Sequence, residues 1–292
     1  MLKKFLAITA LFPSVAMAQS YVVYDFTHDR VLESRAANNV QPIASVTKLM
    51  TANIFLENNK NKNCKQSITP EDNDYIKGTS TKLPKYTPMS CNELLKAMLV
   101  HSDNYAAHAL SRSAGMTRAQ FIQKMNEKAR ELGMRSTRFA DSSGLSSGNV
   151  SSAMDLVKLA KYSLNKPQIQ ALSNTTATYI RAGSHNIYVK NTNKLVREEI
   201  FAAAINKTGY ILESGYNLVF INKKQCNHNT IGVISLNNVS SANRSSFTKT
   251  KLKQYGCPAL NDHELYASAD DALYEEGYDE AAFDQLIQRV AN

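Results

Sequence analysis

No stretch of this 292-residue chain is apolar for long enough to cross a bilayer. The run over residues 5–15 comes nearest and is too short. The 11 glycines and 7 prolines gather into no linker, and no internal repeat is visible. This excludes repeat architectures and leaves one large domain or two small ones. Histidine is scarce. Its six copies, His28, His101, His108, His185, His228 and His263, offer no metal-ligand spacing and no arguable Ser-His-Asp triad. His101 adjoins Ser102, but it reads as a satisfied structural histidine. Cys226 and His228 form the one close Cys/His pair, a weak zinc signal. No metal site and no cofactor is read from the sequence.

What is present begins at the amino terminus. Lys3 and Lys4 precede the apolar run, and Ala16-Met17-Ala18 follows it as a small-x-small cleavage site. Together they read as a secretory signal peptide over residues 1–18, with no cysteine after the cut to carry a lipid anchor. Export implies an oxidising compartment, where four cysteines suggest two disulfides. Geometry favours one of the three pairings. A strand over residues 230–237 runs about 26 Å away from Cys226. A helix over residues 241–255 returns about 22 Å. That brings Cys257 beside Cys226 and leaves Cys64 to pair with Cys91.

Acidic residues are thin except at one end. The chain's formal net charge is +9; residues 258–292 hold nine acids and one arginine, and residues 1–18 hold two lysines, so residues 19–257 carry +15. A basic body suits an anionic partner. Nucleic acid would be the usual reading for a cytosolic protein, and the export signal argues against it. The acidic tail has no apolar stripe flanked by lysines, so no membrane-anchoring helix is read there.

Three short motifs stand in order along the body: Ser45-Val46-Thr47-Lys48, Ser102-Asp103-Asn104 and Lys207-Thr208-Gly209. Ser-x-x-Lys alone is weak, since Ser163/Lys166 and Ser246/Lys249 also match it. Ser45/Lys48 differs in its setting. Residues 44–56 are apolar on nearly every face, which predicts a buried helix. Pro42 upstream suits a helix entry, putting Ser45 in the first turn. A serine hydroxyl must lose its proton as it attacks, and a lysine can take it only when neutral. Burial and a nearby cation both favour the neutral amine. Ser45 and Lys48 share a helix face at i, i+3.

Ser90-Cys91-Asn92-Glu93 has capping-box spacing, and Leu94, Leu95, Met98 and Leu99 give a helical stripe that ends at the second motif. A turn there points Ser102 and Asn104 into a cleft, although the tripeptide would also make a plain Asx turn. Lys207-Thr208-Gly209 ends an apolar run over residues 201–205. Further runs over 216–221 and 230–236 follow, all reading as antiparallel strands. Gly209 leaves room for a substrate backbone, and Lys207 supplies a cation for a carboxylate.

The trio is the motif set of class A β-lactamases and penicillin-binding proteins. Beyond it, the chain resembles the low-molecular-mass penicillin-binding proteins, the serine D-alanyl-D-alanine peptidases, over about residues 21–256. Ala44-Ser-Val-Thr-Lys-Leu-Met-Thr-Ala52 is similar to the family's nucleophile segment. Glu131-Leu-Gly-Met-Arg-Ser-Thr-Arg-Phe139, Gly144-Leu145 and Asn149-Val-Ser-Ser-Ala-Met-Asp-Leu156 are similar to its middle region. Asn191-Thr-Asn-Lys-Leu-Val196 most resembles the endopeptidase branch. Leu83-Pro84-Lys85-Tyr86 stands where the family usually has glycines, which leaves the shape of that loop open.

The resemblance implies an α/β fold of the penicillin-binding and serine β-lactamase type, with an antiparallel sheet flanked by helices and an all-helical subdomain. It implies a catalytic domain over residues 19–257, followed by the acidic tail 258–292. Ser45 would form the acyl-enzyme and Lys48 would be its base. Ser102 and Asn104 would relay the proton and orient substrate. Lys207 and Thr208 would bind the substrate carboxylate, and the backbone N–H groups of Ser45 and Tyr210 would form the oxyanion hole. The expected partners are peptidoglycan peptide stems in the periplasm, with β-lactams as covalent inhibitors.

Other readings are a D-alanyl-D-alanine carboxypeptidase, a β-lactamase and a non-catalytic peptidoglycan-binding scaffold. Class A β-lactamases add Glu-x-x-Leu-Asn to activate the deacylating water. Between Asn104 and Lys207 the sole Leu-Asn, Leu164-Asn165, has Lys161 where the glutamate belongs. A long-lived penicilloyl-enzyme is therefore expected. Intact motifs argue against the scaffold.

Overall fold

A computed structural model describes residues 19–260, apart from residue 114. The signal segment 1–18 and the acidic stretch 261–292 lie outside the described residues. The chain runs β1 (Ser20–Asp25), β2 (Arg30–Arg35), β3 (Gln41–Pro42), a short 3-10 turn (Ala44–Val46), α1 (Thr47–Asn58), β4 (Lys65–Gln66), β5 (Met89–Ser90) and α2 (Cys91–Val100). It continues through α3 (Asn104–Ser111), α4 (Arg118–Glu131), β6 (Val150–Ser151), α5 (Ala153–Ser163), α6 (Pro167–Asn174), β7 (Ala177–Ala182) and β8 (His185–Lys190). The last elements are α7 (Lys194–Arg197), β9 (Ala203–Ile211), β10 (Gly215–Asn222), β11 (Ile231–Asn238) and α8 (Ser241–Gln254).

The main sheet is antiparallel in the order β2-β1-β11-β10-β9. β10 and β11 read as nearly unbroken apolar runs because both faces are covered, whereas the edge strand β2 is largely exposed. Val22, Val219, Ile221, Ile234 and Leu236 pack with the helices around α1 and α2. The alternate residues Val23, Leu218, Phe220 and Val233 pack on the other side with Leu252 of α8. Each strand thus splits its apolar side chains between two layers at period two.

The helical part is centred on α1, where every residue from Thr47 to Phe55 is buried. It packs against α2, α3, α4 and α5. Ser90 caps α2 by accepting from the Glu93 N–H at 3.2 Å. Burial all round, rather than one apolar stripe, lets a lysine on α1 lie wholly inside the protein.

Pro42 does not open the helix. It pairs with Val150 in a two-stranded ribbon, and the 3-10 turn intervenes before α1. Ser45 therefore sits in that turn, one step ahead of the α-helix. The disulfides join Cys64 to Cys91 and Cys226 to Cys257. The first ties the segment after α1 to the start of α2; the second ties the β10–β11 connection to the end of α8. Among the described residues no helix is long and apolar enough to cross a membrane.

Candidate active site

The site lies where the nucleophile turn, the α2–α3 turn and the edge strand β9 meet. Lys48 is fully buried and its Nζ donates to Ser45 Oγ at 2.8 Å, Asn104 Oδ1 at 2.6 Å and the Ser143 carbonyl at 2.6 Å. Burial pulls its pKa from 10.5 down to about 7, against the opposing pull of Asp141, Asp103 and Asp74. An amine in this range is a competent base near neutral pH.

The two other Ser-x-x-Lys matches have ordinary surroundings. Ser163 accepts from Asn53 Nδ2 inside the helical core, while Lys166 pairs with Glu57. Ser246 and Lys249 are exposed on α8.

Ser102 has a positive φ of 63°, a costly conformation for a non-glycine residue that points its side chain across the cleft. Lys207 Nζ donates to Ser102 Oγ at 2.8 Å and to the Thr208 carbonyl at 2.9 Å. Burial drives the Lys207 pKa well down, and the Lys48 ammonium pushes it the same way. Burial is the largest cause for both lysines, and their mutual repulsion disfavours charging the two together. Thr208 Oγ1 lies 2.5 Å from Thr192 Oγ1.

β9 ends the strand order, so one side of it is open to the cleft. In the turn beyond it, the Ile211 N–H donates to Ser214 Oγ and the Ile211 carbonyl accepts from the Ser214 N–H. Strand alternation then turns the Tyr210 N–H to the open side. Gly209 sits against the nucleophile turn: a Cβ there would lie 2.7 Å from the Ile43 carbonyl oxygen and 3.1 Å from Ser45 N. Gly209 thus makes room for the nucleophile turn itself, and not only for a substrate strand.

Several supporting residues were not anticipated from the sequence. Asp103 caps α3, accepting from the Ala106 N–H at 2.8 Å and from Thr81 Oγ1 at 2.5 Å. Thr79 accepts from Asn104 Nδ2 at 3.0 Å, leaving the Asn104 oxygen directed at Lys48. The half-buried Asp141 accepts from the backbone of Ser143, Gly144 and Ser146. Burial pushes its pKa up, but these hydrogen bonds outweigh that and hold the carboxyl below its ordinary range. The folded loop delivers the Ser143 carbonyl to Lys48. His101 Nδ1 lies 3.5 Å from the Lys190 carbonyl, beside the site and outside the Lys48 network.

Gly144 was legible only as part of a family-like segment, and its role is steric. Its φ is +88°, and a Cβ would fall 2.0 Å from the Ala44 carbonyl oxygen and 2.8 Å from Ser45 N. Gly144→Ala is expected to displace the nucleophile turn and slow acylation about tenfold or more. Stopped-flow measurement with a chromogenic β-lactam, on protein shown to be folded by circular dichroism, checks this. A rate within twofold of wild type would mean that the turn tolerates the shift.

A family model for D-alanyl-D-alanine carboxypeptidases matches residues 8–238. The chain belongs to the D-alanyl-D-alanine carboxypeptidase family of serine peptidases. One relative in this group, the D-alanyl-D-alanine endopeptidase of Haemophilus influenzae, is 71% identical over 291 residues, covering 100% of both chains. The D-alanyl-D-alanine endopeptidase of Escherichia coli is 34% identical over 216 residues, 73% of this chain and 69% of that one. Among solved structures, a Streptomyces DD-transpeptidase superposes with a TM-score of 0.73 at 28% identity, covering 81% of this chain and 95% of that one. A penicillin-binding protein of Listeria monocytogenes in its ampicillin-bound form gives 0.68 at 26% identity, covering 82% and 96%. The antiparallel sheet with its helical part is thus the fold of DD-peptidases.

Proposed function

We propose that this protein is a periplasmic D-alanyl-D-alanine endopeptidase that cuts peptidoglycan cross-links through an acyl-enzyme on Ser45. The observation that carries the reading is the fully buried Lys48 amine, 2.8 Å from Ser45 Oγ. Lys48 takes the proton as Ser45 Oγ attacks the carbonyl of a D-alanine. The carbonyl oxygen becomes an oxyanion held by the N–H groups of Ser45 and Tyr210. Such donors are each worth about 2.7–4 kcal/mol in a transition state. Asn104 keeps Lys48 aimed at Ser45. Ser102, hydrogen-bonded to Lys207, passes its hydroxyl proton to the leaving amine as the C–N bond breaks and takes one back from the Lys48 ammonium, which returns the base to its neutral form. Water then hydrolyses the ester and restores Ser45.

Lys207 and Thr208 receive the carboxylate of the leaving residue. That carboxylate supplies the counter-charge that Lys207 needs to remain an ammonium in a buried site. The ammonium in turn disfavours a second charge on Lys48.

The endopeptidase preference rests on the 71% identity to a protein of that name and on the 191–196 segment before β9. An export signal over residues 1–18 and a catalytic domain over residues 19–257 complete the reading, with the acidic tail beyond it. Mass spectrometry of cross-linked muropeptides digested by the purified enzyme tests it. Conversion of dimers to monomers is the expected outcome. Release of free D-alanine from pentapeptides with the dimers left intact would make the protein a carboxypeptidase instead.

A further inference from the structure

An ion pair that the reaction chemistry leaves unused ties the loop ahead of α2 to the turn between β9 and β10. Lys77 Nζ donates to Glu213 Oε1 at 2.5 Å. Lys77 belongs to the loop ahead of α2, and Glu213 to the turn between β9 and β10. Each side is tied to the site. On one, Asp74 accepts from the Lys77 and Thr79 N–H groups, and Thr79 holds Asn104. On the other, Glu213 follows Tyr210 by three residues. The hydrogen bond from Lys77 pulls the Glu213 carboxyl below its ordinary range.

The direction of the substrate gives the pair a use. This step rests on the peptidase reading above. The leaving residue lies over Lys207 and Thr208, and the scissile carbonyl lies by Tyr210. The donor stem must then extend along the open edge of β9 toward Ile211 and Glu213. Two to three residues of extended peptide span roughly 7–10 Å, which brings the stem to the Lys77–Glu213 bridge. Ile76 and Leu212, beside the two partners, are 54% and 84% exposed, so apolar walls flank the charges. Peptidoglycan stems carry carboxylates.

We propose that Lys77 is a specificity residue that binds a carboxylate of the donor stem, with Glu213 occupying it until substrate arrives. Both partners are substantially solvated, so the exchange replaces one weak surface ion pair with another and opens easily. The bridge then disfavours donors that bring no carboxylate to displace Glu213.

The test compares kcat/KM for a purified cross-linked muropeptide dimer with kcat/KM for a short N-acylated D-alanyl-D-alanine peptide whose donor side is neutral. Lys77→Ala should lower the dimer-to-neutral ratio about fivefold to tenfold, and Lys77→Arg should restore most of it. Glu213→Gln removes the internal competitor and should raise the ratio about twofold to fivefold, through KM for the dimer. The ratio should fall with added salt in the wild type and stay flat in Lys77→Ala. A ratio unchanged in Lys77→Ala, or moved in the same direction by both variants, would overturn the assignment. Stable penicillin labelling of the same preparations tests the peptidase reading separately, so failure of one is distinguishable from failure of the other.

Discussion

Ser45→Ala should abolish stable labelling by a fluorescent penicillin, with a loss on the order of 10⁴–10⁶ in acylation rate, as expected when a nucleophile acting in a unit is removed. The loss should be near complete because the other serine of the motifs is committed elsewhere. Ser102 Oγ accepts from Lys207 rather than from Lys48. Gel fluorescence and the intact mass of the adduct measure the outcome. Labelling of Ser45→Ala within tenfold of the wild-type rate would move the nucleophile to Ser102. In the wild type the adduct should persist. Lys161, standing where a class A β-lactamase has its glutamate, pairs at the surface with Asp29 at 2.7 Å. A label lost within seconds would mean that some other group activates the deacylating water.

The reach of the sequence can be judged residue by residue. The closeness of Ser45 and Lys48 was legible from i, i+3 spacing on an all-apolar segment, although Ser45 stands in the 3-10 turn ahead of α1 and not on the helix itself. The strands β9, β10 and β11 were legible as apolar runs separated by turns. The residues that aim Lys48 were not. Ser143 offers it a backbone carbonyl from 95 residues away, and that carbonyl is placed by Asp141 through loop hydrogen bonds with no periodicity. Thr79 reaches Asn104 from a loop for the same reason. Pro42 suggested a helix start because φ near −65° suits one, yet the same φ suits a short strand, and pairing with Val150 decided the matter. The electrostatics of the two lysines also needed coordinates. Burial and a nearby cation were both expected to keep Lys48 neutral, and in the folded protein burial is the largest cause.

That cause yields the second large effect. Lys48 acts as a base only when neutral, and burial sets its pKa near 7, far below the ordinary 10.5. Acylation should therefore rise with pH through about 7 and level off above it. Below the midpoint it should fall about tenfold per pH unit, as the ammonium form accumulates. The sign is firm: a lowered lysine pKa widens the active range toward neutral pH, and acid removes the base. Lys48→Ala should cost roughly 10²–10⁴ in acylation rate and erase the step near pH 7. Lys48→Arg should be as slow, since a guanidinium stays protonated throughout this range. Rates of β-lactam acylation from pH 5 to 9 for wild type and both variants check the claim. If Lys48→Ala stays within a few-fold of wild type, or keeps the same pH step, the base is another group. The neighbouring Lys207 provides a built-in contrast. Its pKa is also lowered by burial, but its hydrogen bond is to Ser102, so Lys207→Ala should weaken carboxylate-bearing substrates while leaving the Lys48 step in the pH profile.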